Sequence, residues 1–231
     1  MYSNKYIFIY SSVMVLIVAL LLSAAAMFLK PMQGRNMRIE KMQNILASIN
    51  ITASRGEAEA LFDQYIVETK VVNSEGEEVE GNAFDVNLQD ENRKLPEERK
   101  LPVFIADVDV HTYYILPRRG NGLWGAIWGY LSLESDLVTI AGANFDHASE
   151  TPGLGAEISQ SQFEKQFAGK RIYDEGGAFS PVKVVKGGAP EDDLYGVDAI
   201  SGGTITSNGV TNMISDGLGI YESYFKKLKS L

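Results

Sequence analysis

Between Lys5 and Lys30 the chain runs for 24 residues without a charge, YIFIYSSVMVLIVALLLSAAAMFL. As an α-helix such a run is about 36 Å long, enough to cross a hydrocarbon core about 30 Å thick. A cleaved signal peptide is the rival reading, because Ser23–Ala26 offers small residues to a peptidase. The apolar core of a signal peptide is ordinarily shorter, about 7–15 residues. Length therefore favours a retained anchor at residues 1–30 with a separate domain at residues 31–231. The side on which that domain lies is contested within the sequence. Lys5 precedes the run, whereas Lys30, Arg35, Arg38 and Lys41 follow it, and the positive-inside rule then places the domain in the cytoplasm. Long domains, however, translocate largely regardless of such charge.

Of the 231 residues 45% are hydrophobic, enough for one span and one domain with its own core. The net charge is −9, with acids gathered between Glu75 and Glu98, which argues against nucleic acid as a partner because phosphates need a basic face. Cysteine is absent, and with it go disulfides, thiolate catalysis, cysteine-ligated clusters and zinc–thiolate sites. Only His111 and His147 remain for imidazole chemistry, too few for a haem or a multi-histidine metal site. No metal site and no catalytic group are expected.

The order of elements points to an α+β domain, an antiparallel sheet flanked by helices. After Pro31 a polar connection is expected, then Met42, Ile45, Leu46 and Ile49 at helical spacing. A second short helix carries Ala58, Leu61, Phe62 and Tyr65 on one face. Ile66–Val72 is a strand, Asn73–Gly76 a turn, and Glu75–Arg99 an acidic, solvated excursion. Strands follow at Leu101–Val108, at Val110–Leu116 ending on Pro117, and as a pair at Trp124–Leu133 and Leu137–Asn144. Phe163 and Phe167 give a helix over Ile158–Ala168 its apolar face, and Gly169 stops it.

Two stretches carry chemistry. In DAISGGTITSNGV, residues 198–210, Gly202 and Gly203 permit positive φ and close backbone approach. An amphipathic helix with Val210, Met213, Ile214, Leu218, Tyr221 and Phe225 follows, N-capped by Ser207 or Asn208. A glycine turn, hydroxyls and a helix N-terminus make either an ordinary capped turn or an anion site. Neither phosphate motif, GxxxxGK[ST] or GxGxxG after a strand, is present. In HASETPGLGAEI, residues 147–158, Pro152 stiffens a turn whose Gly153 and Gly155 allow close approach, and Leu154 between them needs a neighbour or a ligand to pack on. Trp124, unaided, reads as a core aromatic. Lys183 and Lys186 read as surface lysines, with Lys186 beside Gly187 and Gly188 the better candidate for a phosphate.

The segment DAISGGT resembles the flavinylation motif Asp-x-x-Ser/Thr-Gly-Ala-Thr, with Gly203 where alanine is usual. Together with ETPGLG at 150–155 and GLWGAIWGYL at 122–131, in that spacing, it resembles the C subunit of the sodium-translocating NADH:quinone oxidoreductase. The likeness runs from the apolar N-terminal segment to the C-terminal helix. The G subunit of the related Rnf ferredoxin:NAD reductase shares two of the motifs, while GLWGAIWGYL and the length favour the former. A non-redox extracytoplasmic binding or sensor domain is the alternative from another class. The resemblance implies an electron-transfer subunit, not catalytic alone, with FMN held as a phosphoester on Thr204. Ser201, Gly202, Gly203, Trp124, Glu150, Thr151, Gly153, Leu154, Gly155 and Lys186 would line the flavin. It further implies a flavin transferase for maturation, other membrane subunits as partners, and a domain on the periplasmic side of the inner membrane.

Overall fold

The computed structural model describes residues 3–229. The chain divides into two units, Met1–Lys41 and Met42–Leu231. Helix α1, Asn4–Ser48, belongs to both. In the first unit every described side chain from residue 3 to residue 38 is exposed. The apolar run is thus uncovered by protein, and the helix is long and apolar enough to cross a membrane. The expected polar connection after Pro31 is instead helical. Proline removes one N–H from the ladder, and the following Met32, Gln33, Arg35, Met37 and Arg38 are good helix formers that carry the helix onward.

In the second unit Met42, Ile45 and Leu46 at the end of α1 are buried, and the Ser132 hydroxyl donates to the Ser48 carbonyl at its last turn. Five strands form one antiparallel meander: β1 Ile66–Val72, β2 Leu101–Val108, β3 His111–Asn121, β4 Ala126–Leu133 and β5 Ile140–His147. A two-residue hairpin with Asp109 at φ 56° joins β2 to β3. Strand β3 does not stop before Pro117 but runs through it, Pro117 facing Tyr130 of β4. β2 pairs with β3 only as far as Ile115, so on that side proline leaves no ladder donor missing.

Around the sheet lie α2 (Ala58–Tyr65), α3 (Leu88–Glu91), α4 (Ser161–Glu164), α5 (Thr204–Gly219) and α6 (Glu222–Lys229), with a small parallel pair of β6 (Lys183–Val185) and β7 (Gly196–Asp198). Two helical expectations are corrected. The C-terminal helix is two helices, broken at Ile220–Tyr221, where the Tyr221 hydroxyl donates to the Pro102 carbonyl at 2.7 Å. The 158–168 helix is one turn of α-helix between two 3-10 turns, because its aromatics are set by β5 rather than by a helical stripe. Phe145, Phe163 and Phe167 form a triad with ring centroids 5.0–5.8 Å apart. Such pairs contribute about 0.5–1.5 kcal/mol each beyond burial, more than exposed ion pairs such as Arg93–Asp90 supply.

Glu164 of α4 accepts hydrogen bonds from Phe145 N and Asn144 Nδ2 at 2.7 and 3.0 Å. Burial, with Asp146 nearby, pushes its carboxyl up to about 7. A carboxyl with a raised folded-state pKa binds its proton more tightly when folded, so stability declines as pH rises from the ordinary glutamate range through about 7. Glu164→Gln removes that ionisation while keeping an acceptor. Its melting temperature should exceed that of the parent by an amount smallest near about pH 5 and largest near about pH 8. A constant offset across that range in thermal melts would contradict this.

Candidate functional site

Helix α5 begins at Thr204, not at Ser207 or Asn208 as the hydroxyl pattern suggests. Gly203 is its N-cap and offers no side-chain acceptor, so the N–H groups of the first turn stay available to an anion. The hydroxyls of Thr206 and of Ser207, the latter a cap candidate, are spent elsewhere. Thr206 donates to Glu150 Oε2, and Ser207 Oγ accepts from Ile200 N at 3.2 Å. Gly202 sits at φ +74°, and a Cβ there would come within 2.6 Å of Leu154 Cδ2. Gly203 has φ −102°, and a Cβ there would be 3.0 Å from Ile200 Cγ2. Positive φ thus belongs to the first glycine only, and a small residue suffices at the second.

Glu150 is the hub of the site. Its carboxylate, only 4% exposed, accepts from Thr206 and from Trp124 N at 2.8 Å. Burial by itself raises a carboxyl pKa. The hydrogen bonds from the Thr206 hydroxyl and from the N–H groups of Trp124, Leu123 and Gly125 outweigh that and hold it below the usual glutamate value. Glycines make the room: a Cβ on Gly122 would be 2.6 Å from Glu150 Oε1, and one on Gly155 would overlap both Glu150 Oε2 and Thr206 Oγ1. Gly122 and Gly125 of GLWG and Gly155 of ETPGLG therefore have a packing reason to be there, whereas Gly153 is set by its φ of +75°.

From that hub the loops present their remaining side chains outward. Trp124 is 66% exposed and no core residue, and Leu154 is 41% exposed. Leu123 on the loop of Trp124 and Ile205 in the first turn of α5, which the sequence pattern does not single out, are exposed too. Nothing in their local pattern distinguishes them from ordinary loop residues. Thr151 and Gly153 are exposed as well. The Thr151 carbonyl accepts from Leu154 N and Ala156 N, and Gly153 N donates to Glu157.

Two clefts flank the 198–201 strap. One, about 460 Å³, is lined by Lys186, Gly187, Gly188, Ser201, Gly202 and Thr204. The other, about 380 Å³, takes in Gly153, Glu157, Gln166 and Ser201. Thr204 is half-buried at the first cleft, whereas Thr206 is 1% exposed. Residues two apart on an α-helix point about 200° apart. Sealing Thr206 against Glu150 thus turns Thr204 towards the open side.

A family model described as an FMN-binding domain matches residues 122–219, from the β3–β4 loop to the last residue of α5. The C subunit of the Na(+)-translocating NADH-quinone reductase of Pseudomonas aeruginosa is 33% identical over 235 residues, covering 90% of this chain and 88% of that protein. Its counterpart in Vibrio vulnificus is 32% identical, covering 88% and 86%. Among solved structures, the counterpart from Parabacteroides distasonis superposes with a TM-score of 0.79 at 45% identity, covering 85% of this chain and 96% of that one. Shewanella oneidensis NqrC gives 0.72 at 26% identity, covering 84% and 98%.

The Glu150 cradle predicts that Gly155→Ala destabilises the domain by about 1–3 kcal/mol, as an added methyl does in a packed interior. Gly153→Ala meets no atom within 4 Å, and its cost comes only from φ +75°. A chemical-denaturation series in which Gly155→Ala proved the milder of the two would refute the cradle.

Proposed function

The chain belongs to the family of Na(+)-translocating NADH-quinone reductase C subunits, and from that we propose that it carries FMN as a phosphoester on Thr204 and passes electrons between cofactors of neighbouring subunits. What carries this reading is the contrast between the two threonines. The Thr204 hydroxyl stands at an open cleft at the start of α5, while that of Thr206 is sealed and committed.

The residues present fit the group. A phosphate at Thr204 meets the uncapped N–H groups of the first turn and the positive end of the helix dipole, with Lys186 across the cleft to neutralise it. Ser201 and Gly202 form the wall behind it, Gly202 leaving room for Leu154. Exposed Trp124 and Leu154, supported from behind by Glu150, offer apolar surface to a flat ring system and screen it from water on one side. FMN, when bound, supplies one- and two-electron redox chemistry, and the protein supplies placement and electrostatics.

Attachment itself needs an activated hydroxyl, and a hydroxyl is a weak nucleophile without a base. Glu150, the nearby carboxylate, is held ionised by four protein donors, one of them Thr206. A separate flavin transferase that moves FMN from FAD to Thr204 Oγ1, with AMP leaving and the hydroxyl proton lost, accounts for the linkage. The first part of α1 serves as a single inner-membrane anchor, and the domain stands on the periplasmic side with the other members of the complex as partners.

Two experiments test this. In cells that supply the transferase, Thr204→Ala should abolish flavin fluorescence of the denatured band, while Thr206→Ala should retain it in whatever fraction folds. Fluorescence that survives Thr204→Ala and disappears with Thr206→Ala would reverse the assignment. Protease added to intact spheroplasts should digest the domain. A domain protected until the membrane is broken would place it in the cytoplasm, as the charge bias after Lys30 suggests.

A further inference from the structure

A third cleft, about 380 Å³, lies between β3, α5 and the segment around α3, and shares no lining residue with the two clefts that flank the 198–201 strap. Four cationic side chains line it: Arg99, Lys100, Arg118 and Arg119. Among the described residues the hydrogen bonds of their side chains go to neutral oxygens, although Lys100 also acts electrostatically on Glu91. Arg99 donates to the carbonyls of Lys94 and Asn92, Lys100 Nζ to the carbonyl of Glu80, and Arg119 to the side-chain oxygen of Gln89. Arg118 is the extreme case. It is 7% exposed, its guanidinium lies 3.9 Å from the Tyr221 ring centroid, and Nε and Nη2 are sealed without an acceptor.

Glu91 and Asp216 also line the cleft, yet among the described residues neither reaches Arg118 as an ion pair. Glu91 is taken up by Lys94 Nζ and by Lys100 N, each at 2.8 Å. The chain makes specific room for this buried cation: a Cβ on Gly217 would stand 2.9 Å from Arg118 Nε. Burial pushes the Arg118 pKa down to about 10, so it stays charged at neutral pH. The Tyr221 face and the C-terminal end of α5 offset part of the desolvation of a guanidinium, and a counter-ion is needed for the rest. Four cations facing two carboxylates, one of them already paired with Lys94, leave an excess of positive charge that is a ligand feature in a protein of net charge −9.

We propose that this cleft binds a small polyanion bearing carboxylate or phosphate groups, with Arg118 as the buried charge and Arg99, Lys100 and Arg119 around it. Its volume falls in the small-molecule range of roughly 300–1,000 Å³. Planar guanidinium forks favour oxyanions over halide.

The test uses the detergent-solubilised full chain, followed by tryptophan emission on heating, with citrate and inorganic phosphate titrated at constant ionic strength against chloride. Citrate or phosphate should raise the melting temperature saturably. The general stabilisation by such salts is unsaturable and common to all variants. In Arg118→Met the half-saturating concentration should rise by roughly thirtyfold or more, with Arg118→Lys in between. Should Arg118→Met fail to fold, Arg99→Met and Arg119→Met at the rim must each weaken the response. Lys186→Met should leave it intact, which separates this cleft from phosphate bound beside Thr204. The absence of a saturable rise, the same rise in Arg118→Met, or a rise lost only in Lys186→Met would each overturn the proposal.

Discussion

The buried carboxylate of Glu150 ties together three pieces of chain that are distant in sequence: the β3–β4 loop through Trp124 N, its own loop, and the first turn of α5 through Thr206. A carboxylate taken out of water is costly unless its oxygens are filled with donors. Here they are, which is why its pKa falls despite burial. Losing one donor to such a group costs about 1.5–3 kcal/mol, whereas losing the carboxylate orphans every donor at once. The three loops are therefore coupled, and none of the side chains they present can move far without disturbing that junction.

Helix geometry then does the selecting. With Thr206 drawn inward, Thr204 is turned outward at the point where α5 has free N–H groups and no capping side chain. Two chemically equivalent hydroxyls two residues apart thus acquire different fates, one structural and one available. Gly155 makes that arrangement possible from the other side, since any side chain there would occupy the space of the Glu150–Thr206 hydrogen bond.

Much of the sheet was legible because its strands alternate or are rich in β-branched and aromatic residues, and β1, β2, β4 and β5 fall close to where the pattern puts them. The misjudged boundaries share a cause. Pro31 and Pro117 read as breaks, yet helix-forming neighbours carry α1 past the first, and the end of the β2 pairing frees the second. Ser207 reads as a cap because cap chemistry is local, while its hydroxyl is used by Ile200 N. At the site, the glycines and Thr204 stood out as motifs. The pairing of Glu150 with Thr206 spans 56 residues and leaves no periodic trace. Arg118 is equally silent, an arginine next to the proline at which the strand is expected to end, until Gly217 of α5 is seen to admit it.

The exposed apolar side chains at the site carry a further implication. Trp124, Leu154, Leu123 and Ile205 stand out on a domain whose other large apolar side chains are mostly buried, and apolar side chains presented by segments joined at one junction mark a surface meant to be covered. A flat ring laid against them would gain contact on one face only, since both clefts flanking the 198–201 strap are open to solvent. One-sided contact is weak retention, for affinity grows with the share of a ligand that is buried. An electron carrier cannot cure this by burying the ring, because exchange with a partner requires close approach. Under the proposed attachment, a covalent bond at the phosphate end would separate the two demands: the tether would supply retention, and the ring edge would stay open. On that proposal the exposure of Trp124 and the outward turn of Thr204 would be two parts of one solution.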